Sequence, residues 1–564
     1  MRFFIDWRQL LRAGVLAGIF TTYVALIGMI ETFAAREIIS GVLTLGTLLV
    51  MAPPIVAGYV VAQRNRHQAG AGGRLLFGLI TGLFASVPTL ILIAAGTLFP
   101  DIRQMFVNIT PDLISRLTFD QEPVIIGALM FAGAQIGLGF LGAAVNLIPS
   151  RAQKSLLAGV VWVLSVGLLG ELLSTQVIRP LLGRSTASAI FSKGALTPVA
   201  ATILFVVTSG LSYVLTGSRS RVQQRYDKLS ASGQKQWRRI GFTAFGIALL
   251  FLPWVVGVYL SDVLNFVGMY VLMALGLNIA VGLAGLLDLG YVTNFAVGAY
   301  VMAVLTSTGP LGMGQFNFWL ILPIAVVAAM FTGFTLALPV LRMRGDYLAI
   351  ATLGFGEIIR LLALSDWLKP YIGGAQGVLF IPKAGIPGLP IADFSDPRWV
   401  YYLFLAACLL MLFISVRLNN SRTGRQWMAM REDEDAAGAM GIDTMKTKML
   451  AFTLSAASGG LAGAIFASKL GTIFPHSFQL LISVNALCII IVGGMGSIPG
   501  IVVGALALIG LPELLREFAE YRLLLYGALL IVMMLVRPEG LWPSAVRRRE
   551  LREEEEAVPA PSGD

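Results

Sequence analysis

Charged residues are scarce in this sequence: Asp, Glu, Lys and Arg make up 13% of its 564 residues, while 57% are hydrophobic. Soluble globular domains carry about 25% charged residues. The mean hydropathy is +0.80, and apolar stretches of about 20 residues, each long enough to cross a bilayer as a helix, recur along the chain. The composition therefore excludes an ordinary soluble domain and predicts an all-α, polytopic membrane protein.

Cysteine and histidine are also rare, with two of each. Cys408 and Cys488 lie in apolar stretches, so the sequence supports neither a disulfide framework nor a zinc site. His67 and His476 have no second metal ligand at helical spacing. There is no Gly-x-Ser-x-Gly elbow and no Gly-x4-Gly-Lys-Ser/Thr phosphate loop. We therefore expect no enzymatic activity, no metal and no cofactor bound directly by this chain.

The basic residues give a formal net charge of +10, but they gather in short segments between apolar stretches. Cytoplasmic loops of membrane proteins show this distribution under the positive-inside rule. We therefore interpret the charge as a sign of topology and of contact with membrane lipid, and expect no nucleic-acid partner. The clusters include Arg64/Arg66/Arg74, Arg219–Arg239 and Arg547–Arg549.

The same pattern predicts two membrane modules. Residues 1–216 form an N-terminal accessory module of about six helices, and the basic stretch 217–240 is a cytoplasmic linker. Residues 241–545 form the second module, and 546–564 a charged cytoplasmic tail. Counting each apolar stretch as one span gives about 14 to 16 transmembrane or half-membrane helices.

One apolar stretch of the second module, Leu480–Leu511, does not fit an ordinary span. If the N-terminus and Arg547–Arg549 both lie inside, the count of crossings requires this stretch to begin and end on the outer side. Its middle is rich in glycine, over Gly493–Gly500. The sequence predicts two half-length helices that meet at these glycines; one kinked helix is the alternative.

A polar segment, residues 419–448, interrupts two apolar spans of the second module. It is too charged for lipid. Asp433 can cap a short helix over Glu434–Met440, and Gly441 can end it. The sequence therefore predicts a helix that projects between two spans.

The predicted short helix carries small side chains. Ala436, Ala437 and Met440 are expected to share a face that a partner can approach closely. Asp443 or Thr444 can cap the helix that follows. The segment therefore has the form of a contact site.

Polar residues within or beside the apolar spans are candidates for a solute path, because a charge at the centre of a membrane costs about 2.5–3.5 kcal/mol on insertion scales. Arg360 follows Glu357 by three residues, which allows a local ion pair. These residues either line a path for a zwitterionic solute or bridge neighbouring helices. The candidates are Asn278, Asp288, Asn294, Glu357, Gly494, Gly496 and Ser497.

Several stretches of the second module follow one family pattern in order. Together they make residues 262–545 similar to a branched-chain amino acid ABC transporter permease of the LivM type. Residues Tyr291–Asn294 depart from it, since the family commonly has a small or polar run there. The matching stretches are 274–290, 296–300, 341–360, the polar segment, 492–500 and 536–541.

The resemblance implies an ABC importer permease fold in a bacterial or archaeal plasma membrane. It implies a second permease subunit, two cytoplasmic ATPase subunits that use ATP and Mg²⁺, and an extracytoplasmic solute-binding protein. The polar segment takes the place of the loop that couples the permease to the ATPase. Its coupling residues are then Arg431, Glu432, Glu434, Ala436, Ala437, Gly441 and Ile442.

A different class of function remains open at this stage. An ion-coupled secondary transporter for a small polar solute would also be polytopic. It would need a buried carboxylate or a Na⁺ site and would not need the polar segment. The two hypotheses therefore differ in what residues 419–448 are for.

Overall fold

The computed structural model describes residues 7–66, 70–99, 106–227, 231–340, 343, 345–385, 394–514 and isolated positions between 521 and 542. Within these residues the chain is almost entirely helical. It divides into two compact units, Met1–Thr243 and Ala244–Asp564. The predicted module boundaries stay a prediction, and the tail predicted at 546–564 lies outside the described residues.

The first unit consists mainly of long apolar helices. Glycines let three of them pack backbone to backbone: a Cβ atom on Gly58 or Gly78 would lie only 2.2 or 2.6 Å from the carbonyl oxygen of Gly139. The helices are α1 (Trp7–Leu26), α2 (Met29–Thr32), α3 (Leu45–Arg64), α4 (Ala71–Leu98), α5 (Pro111–Leu117), α6 (Val124–Val145), α7 (Ser150–Leu168), α8 (Gly170–Leu172), α9 (Arg179–Ile190) and α10 (Pro198–Asp227), with a π-helix at Leu173–Ile178.

A small four-stranded sheet also belongs to the first unit. Its strands are β1 (Glu37–Ile39), β2 (Leu43–Thr44), β3 (Phe191–Ser192) and β4 (Ala195–Leu196), in the order β2-β1-β4-β3. Strands β1 and β4 pair in parallel, and the outer pairs are antiparallel. Strands of two or three residues are too short to leave a period-two pattern, so the sequence did not reveal them.

The second unit has its core around α12, α13 and α19. A Cβ atom on Gly298 of α12 would lie 2.2 Å from the carbonyl oxygen of Gly460 in α19. The helices are α11 (Ala231–Asn278), α12 (Val292–Thr306), α13 (Phe318–Val340), α14 (Asp346–Leu364), α15 (Lys369–Ile372), α16 (Pro397–Asn419), α17 (Arg422–Glu432), α18 (Glu434–Ala439), α19 (Thr444–Leu470), α20 (Leu480–Gly493), α21 (Ile498–Ala505) and α22 (Leu511–Leu514), with π-helices at Ile279–Leu283 and Leu506–Gly510 and 3-10 turns at Gly374–Gln376 and Pro475–Ser477.

The apolar segments agree with the number predicted. Among the described residues, eleven helices are long and apolar enough to span a membrane, and the bent pair Ser150–Leu168 and Gly170–Ile178 makes a twelfth. Two shorter apolar helices, Val292–Thr306 and Ile498–Glu513, bring the total to fourteen. The all-α, polytopic fold class is therefore confirmed.

The stretch predicted to be broken forms a helical hairpin. Helix α20 ends at Gly493 and α21 begins at Ile498. The two run side by side, because a Cβ atom on Gly493 would lie 2.3 Å from the carbonyl oxygen of Gly500, and one on Gly504 would lie 2.5 Å from that of Ile489. The predicted break at Gly493–Gly500 is confirmed and the single kinked helix is wrong, while the half-membrane length of the two arms stays a prediction.

Candidate functional site

Helix α17 leads into the polar segment and is fixed by one large side chain. The Ser421 hydroxyl caps the helix by accepting a hydrogen bond from the Gly424 N–H at 3.1 Å. Trp427 is 0% exposed, and its indole Nε1 donates to the carbonyl oxygen of Thr447 in α19 at 2.8 Å. The sequence hypothesis missed this anchor, although a lone tryptophan among polar residues marks its position.

Helix α18 has the capped form that the sequence predicts. The Asp433 carboxylate accepts hydrogen bonds from the N–H groups of Asp435 and Ala436, both at 2.9 Å. The helix ends at Ala439, one residue short of the prediction, and Gly441 follows with a φ of 85°. Such a positive φ suits glycine, which has no Cβ atom.

Asp443, rather than Thr444, caps the next helix, α19. Its carboxylate accepts a hydrogen bond from the Lys446 N–H at 3.0 Å and pairs with the Lys446 ammonium at 2.9 Å. The backbone hydrogen bond, followed by the Lys446 side chain, lowers the pKa of the Asp443 carboxyl. Both helices that flank Gly441 therefore begin at a capping aspartate.

The prediction that Ala436, Ala437 and Met440 share an exposed face is wrong for Ala437. Ala436 is exposed and Met440 is 85% exposed, but Ala437 is buried. Successive residues of an α-helix point about 100° apart, so Ala437 can face the core while Ala436, the residue before it, faces outward. A partner can contact Ala436 and Met440, while Ala437 packs inside the protein.

The charged residues of the segment attach it to the core. The Arg431 Nη1 donates to the carbonyl oxygen of Gly282 at 2.8 Å, and its Nη2 pairs with Glu432 at 3.3 Å. Glu434 forms an ion pair of 2.6 Å with Lys448, whose side chain is 4% exposed. A buried ammonium needs such a partner, because an uncompensated buried charge costs several kcal/mol. Arg431 and Glu434 therefore hold the segment in place.

Four of the predicted path residues meet at the apex of the hairpin. Asn278 ends α11, and its Oδ1 accepts a hydrogen bond from the Gly496 N–H at 3.0 Å. Ser497 caps α21 through the Gly500 N–H at 3.2 Å, and Gly494 has a φ of 113°. Because Arg431 bonds to Gly282, one turn beyond Asn278, the polar segment and the apex are joined through the Ile279–Leu283 π-helix.

The other three predicted path residues lie apart from this apex. Asp288 is buried in the loop before α12. Burial raises the pKa of its carboxyl to about 7, and the hydrogen bond from the Gly290 backbone opposes this rise. Asn294 is buried on α12, and its Oδ1 has no hydrogen-bond partner among the described residues. On α14, Glu357 pairs with the Arg360 Nε at 3.0 and 3.1 Å, as the spacing allowed.

A cavity of about 200 Å³ lies between α12, α14 and the Pro475–Phe478 region. Its walls are mostly apolar, and Thr293, Tyr300 and Arg360 supply the polar groups. Within the described part of the chain, the buried hydroxyls of Thr293 and Tyr300 have no hydrogen-bond partner. The sequence hypothesis missed both, although a spacing of seven residues places them on one side of an apolar helix.

Comparison with known proteins places the residues of the second unit in a family. Residues 259–534 match the family described as branched-chain amino acid transport system / permease component. The high-affinity branched-chain amino acid transport system permease protein LivM of Escherichia coli (strain K12) is 42% identical over 323 residues, covering 53% of this chain and 74% of that protein. The chain belongs to this permease family.

More distant relatives resemble the permease over a similar length. The high-affinity branched-chain amino acid transport system permease protein LivH of Escherichia coli (strain K12) is 26% identical over 295 residues. The match covers 48% of this chain and 90% of LivH. The probable branched-chain amino acid transport permease protein LivM of Methanocaldococcus jannaschii is 23% identical over 334 residues. The match covers 50% of this chain and 93% of that protein. No solved structure matches.

These findings confirm the resemblance inferred from the sequence. The permease is a multi-pass protein of the plasma membrane, and its relatives are transport permease proteins. The matched residues include the polar segment and the hairpin. They do not include the first 258 residues, which contain the sheet and the bundle of the first unit.

Proposed function

We propose that this chain is a transmembrane permease subunit of an ATP-driven importer for branched-chain or related amino acids. The observation that carries the proposal is the polar segment: α18 exposes Ala436 and Met440 while Trp427, Arg431 and Glu434 anchor it to the core. A surface that is small, capped and firmly attached suits a contact through which another protein applies force.

The contacts of the segment define how such a force would travel. A push on α18 reaches α19 through the Glu434–Lys448 ion pair and reaches the Ile279–Leu283 π-helix through Arg431. The π-helix is continuous with Asn278, which bonds to the hairpin apex. Movement of the ATPase would therefore change the position of the apex relative to the core, and so open the solute path to one side or the other.

The proposal requires partners for each step. Two cytoplasmic ATPase subunits would bind ATP and Mg²⁺, since the sequence has no phosphate loop of its own. A second permease subunit would complete the path through the membrane lipid, and an extracytoplasmic solute-binding protein would deliver the amino acid. The family supports the presence of partner subunits, and the exposed face of α18 supports the contact with an ATPase.

The cavity between α12 and α14 is the proposed place of contact with the solute. Its apolar walls suit an aliphatic side chain, and the hydroxyls of Thr293 and Tyr300 lack partners within the described residues. A zwitterion would supply both donors and acceptors to these groups, beside the guanidinium of Arg360. Asn278, Asp288 and the other predicted path residues remain candidates for later steps.

Transport in a defined system tests the proposal against the ion-coupled alternative. Proteoliposomes that contain this chain, its second permease and the two ATPases are expected to take up leucine only when ATP and the loaded binding protein are present. The buried carboxylate of Asp288 is the observation that favours the alternative. Uptake by this chain alone under a proton or Na⁺ gradient, without ATP, would exclude the importer.

The cavity makes a prediction of its own in the same assay. Thr293→Val is nearly isosteric and removes one hydroxyl. It is expected to lower the rate of leucine uptake about 10-fold when the binding protein is saturating, because one hydrogen bond to a charged group is lost. Tyr300→Phe is expected to act similarly. Thr306→Val is the matched control, because the Thr306 hydroxyl is buried on the same helix but already bonded to the carbonyl oxygen of Met302. Equal rates for the variants at 293 and 306 would contradict this role.

A further inference from the structure

The first unit contains a cavity that the permease family does not account for, since it lies outside residues 259–534. It is formed by α3, α5 and α6 and has a volume of about 420 Å³. Phe131 and Gln135 of α6 are buried at its floor, whereas Arg116 and Asp120 are exposed at its mouth. Ligand sites are concave and mostly apolar, with a few placed polar groups, and the cavity has this form.

The polar group at the floor lacks a partner. Gln135 is 2% exposed, and its Nε2 donates to the carbonyl oxygen of Val50 at 3.4 Å. Its Oε1 has no hydrogen-bond partner among the described residues. An unpaired acceptor that is buried away from water destabilises the fold. An occupant with an N–H donor would relieve this cost.

The mouth carries charges of both signs. Arg116 supplies a guanidinium and Asp120 a carboxylate. Helix α3 also begins at this wall, where Thr44 caps it by accepting from the Thr47 N–H at 3.2 Å. The N-terminal turn of a helix favours a negative group. Asp120 has a φ of 55°, a strained conformation that recurs at binding sites.

We propose that this cavity binds a zwitterion that joins a primary ammonium to an anionic group and carries an apolar tail. The ammonium donates to Gln135 Oε1, and the anionic group faces Arg116 and the start of α3. The apolar lining, which includes Val50, Met51 and Phe131, packs on the carbon atoms beside the ammonium. A free aliphatic amino acid and the headgroup of an aminophospholipid share this chemistry. The cavity therefore gives the first unit a binding role that is independent of transport.

Hydrogen exchange on the full-length chain tests the proposal. The protein is placed in phosphatidylcholine nanodiscs, because the quaternary ammonium of that lipid has no N–H. L-leucine is added in one arm and phosphatidylethanolamine replaces part of the lipid in the other. At least one ligand is expected to protect the backbone amides of residues 44–51 and 131–138. Gln135→Leu is expected to weaken this binding about 10- to 100-fold, since a hydrogen bond to a charged group is lost.

Two further variants make the result decisive. Arg116→Gln changes an exposed side chain and is expected to weaken binding without loss of fold, so it decides the question if Gln135→Leu does not fold. Gln121→Leu, at an exposed position outside the lining, is the control and should bind as the unmodified chain does. Protection by leucine identifies a free amino acid, and protection by phosphatidylethanolamine alone identifies the lipid. The proposal is overturned if neither ligand protects these amides, or if folded Gln135→Leu and Arg116→Gln bind as the unmodified chain does. The ATPase subunits take no part in this experiment, so its result leaves the importer hypothesis unaffected.

Discussion

Uptake of amino acid is expected to stop when Glu434–Gly441 is replaced by a Gly/Ser segment of the same length. The replacement removes the face formed by Ala436 and Met440, the helix that presents it and the ion pair with Lys448. A flexible tether cannot pass on a displacement, because it takes up the movement in its own torsion angles. Leucine uptake by proteoliposomes and recovery of the ATPase subunits with the purified permease are the two measurements.

A single substitution separates loss of contact from loss of fold. Ala436→Arg places a long charged side chain on the exposed face and leaves the Asp433 cap and the Lys448 ion pair intact. It is expected to prevent recovery of the ATPase. Ala375→Arg makes the same change at an exposed position in the Gly374–Gln376 turn and should leave that recovery unaltered. If both variants retain the ATPase and transport normally, α18 is not the contact.

Trp427→Ala is expected to produce the second large effect, on stability as well as on coupling. The side chain is fully buried between α17 and α19, and truncation of a buried Phe or Trp costs about 3–5 kcal/mol of the free energy of unfolding. The carbonyl oxygen of Thr447 also loses its indole donor. Thermal unfolding of the purified permease should shift to lower temperature, and ATP hydrolysis by the assembled complex should continue while uptake falls.

Two tryptophan variants give the comparison that this prediction needs. Trp427→Phe keeps an aromatic ring but removes the N–H, so it should cost less than alanine, about 0.5–1.5 kcal/mol for one lost hydrogen bond, because the Thr447 carbonyl keeps its backbone partner within α19. Trp367 is 75% exposed, and Trp367→Ala is expected to change the free energy of unfolding by no more than about 0.5 kcal/mol. Similar shifts for positions 367 and 427 would mean that the α17–α19 contact is not important.

The parts of the fold predicted from the sequence are those that depend on local chemistry. Apolar length gave the spanning helices, Asp433 and Gly441 gave the ends of α18, and the glycines at 493–500 gave the break in the hairpin. Each of these signals acts within a few residues of the feature that it specifies. The short strands of the first unit carry no such signal, because each has only two or three residues and the pairing of β1 with β4 joins residue 39 to residue 196.

The candidate site was harder to predict, since it depends on which residues meet in space. The bond between Asn278 and Gly496 spans 218 positions, and that between Arg431 and Gly282 spans 149. The sequence identified these residues as polar or flexible but could not pair them. It also passed over Thr293 and Tyr300. A threonine hydroxyl on an apolar helix usually bonds to the backbone one turn earlier, but that of Thr293 does not.

The glycine contacts of α12 and α19 restrict how the permease can change shape. A Cβ atom on Gly463 would lie 1.9 Å from the carbonyl oxygen of Phe295, as close an approach as that between Gly298 and Gly460. At these glycines no side chain separates the two backbones, so no rotamer can change there to let one helix slide past the other. We therefore expect the two helices to move as one block during transport, with bending at irregular segments such as Ile279–Leu283 and Gly494–Ser497.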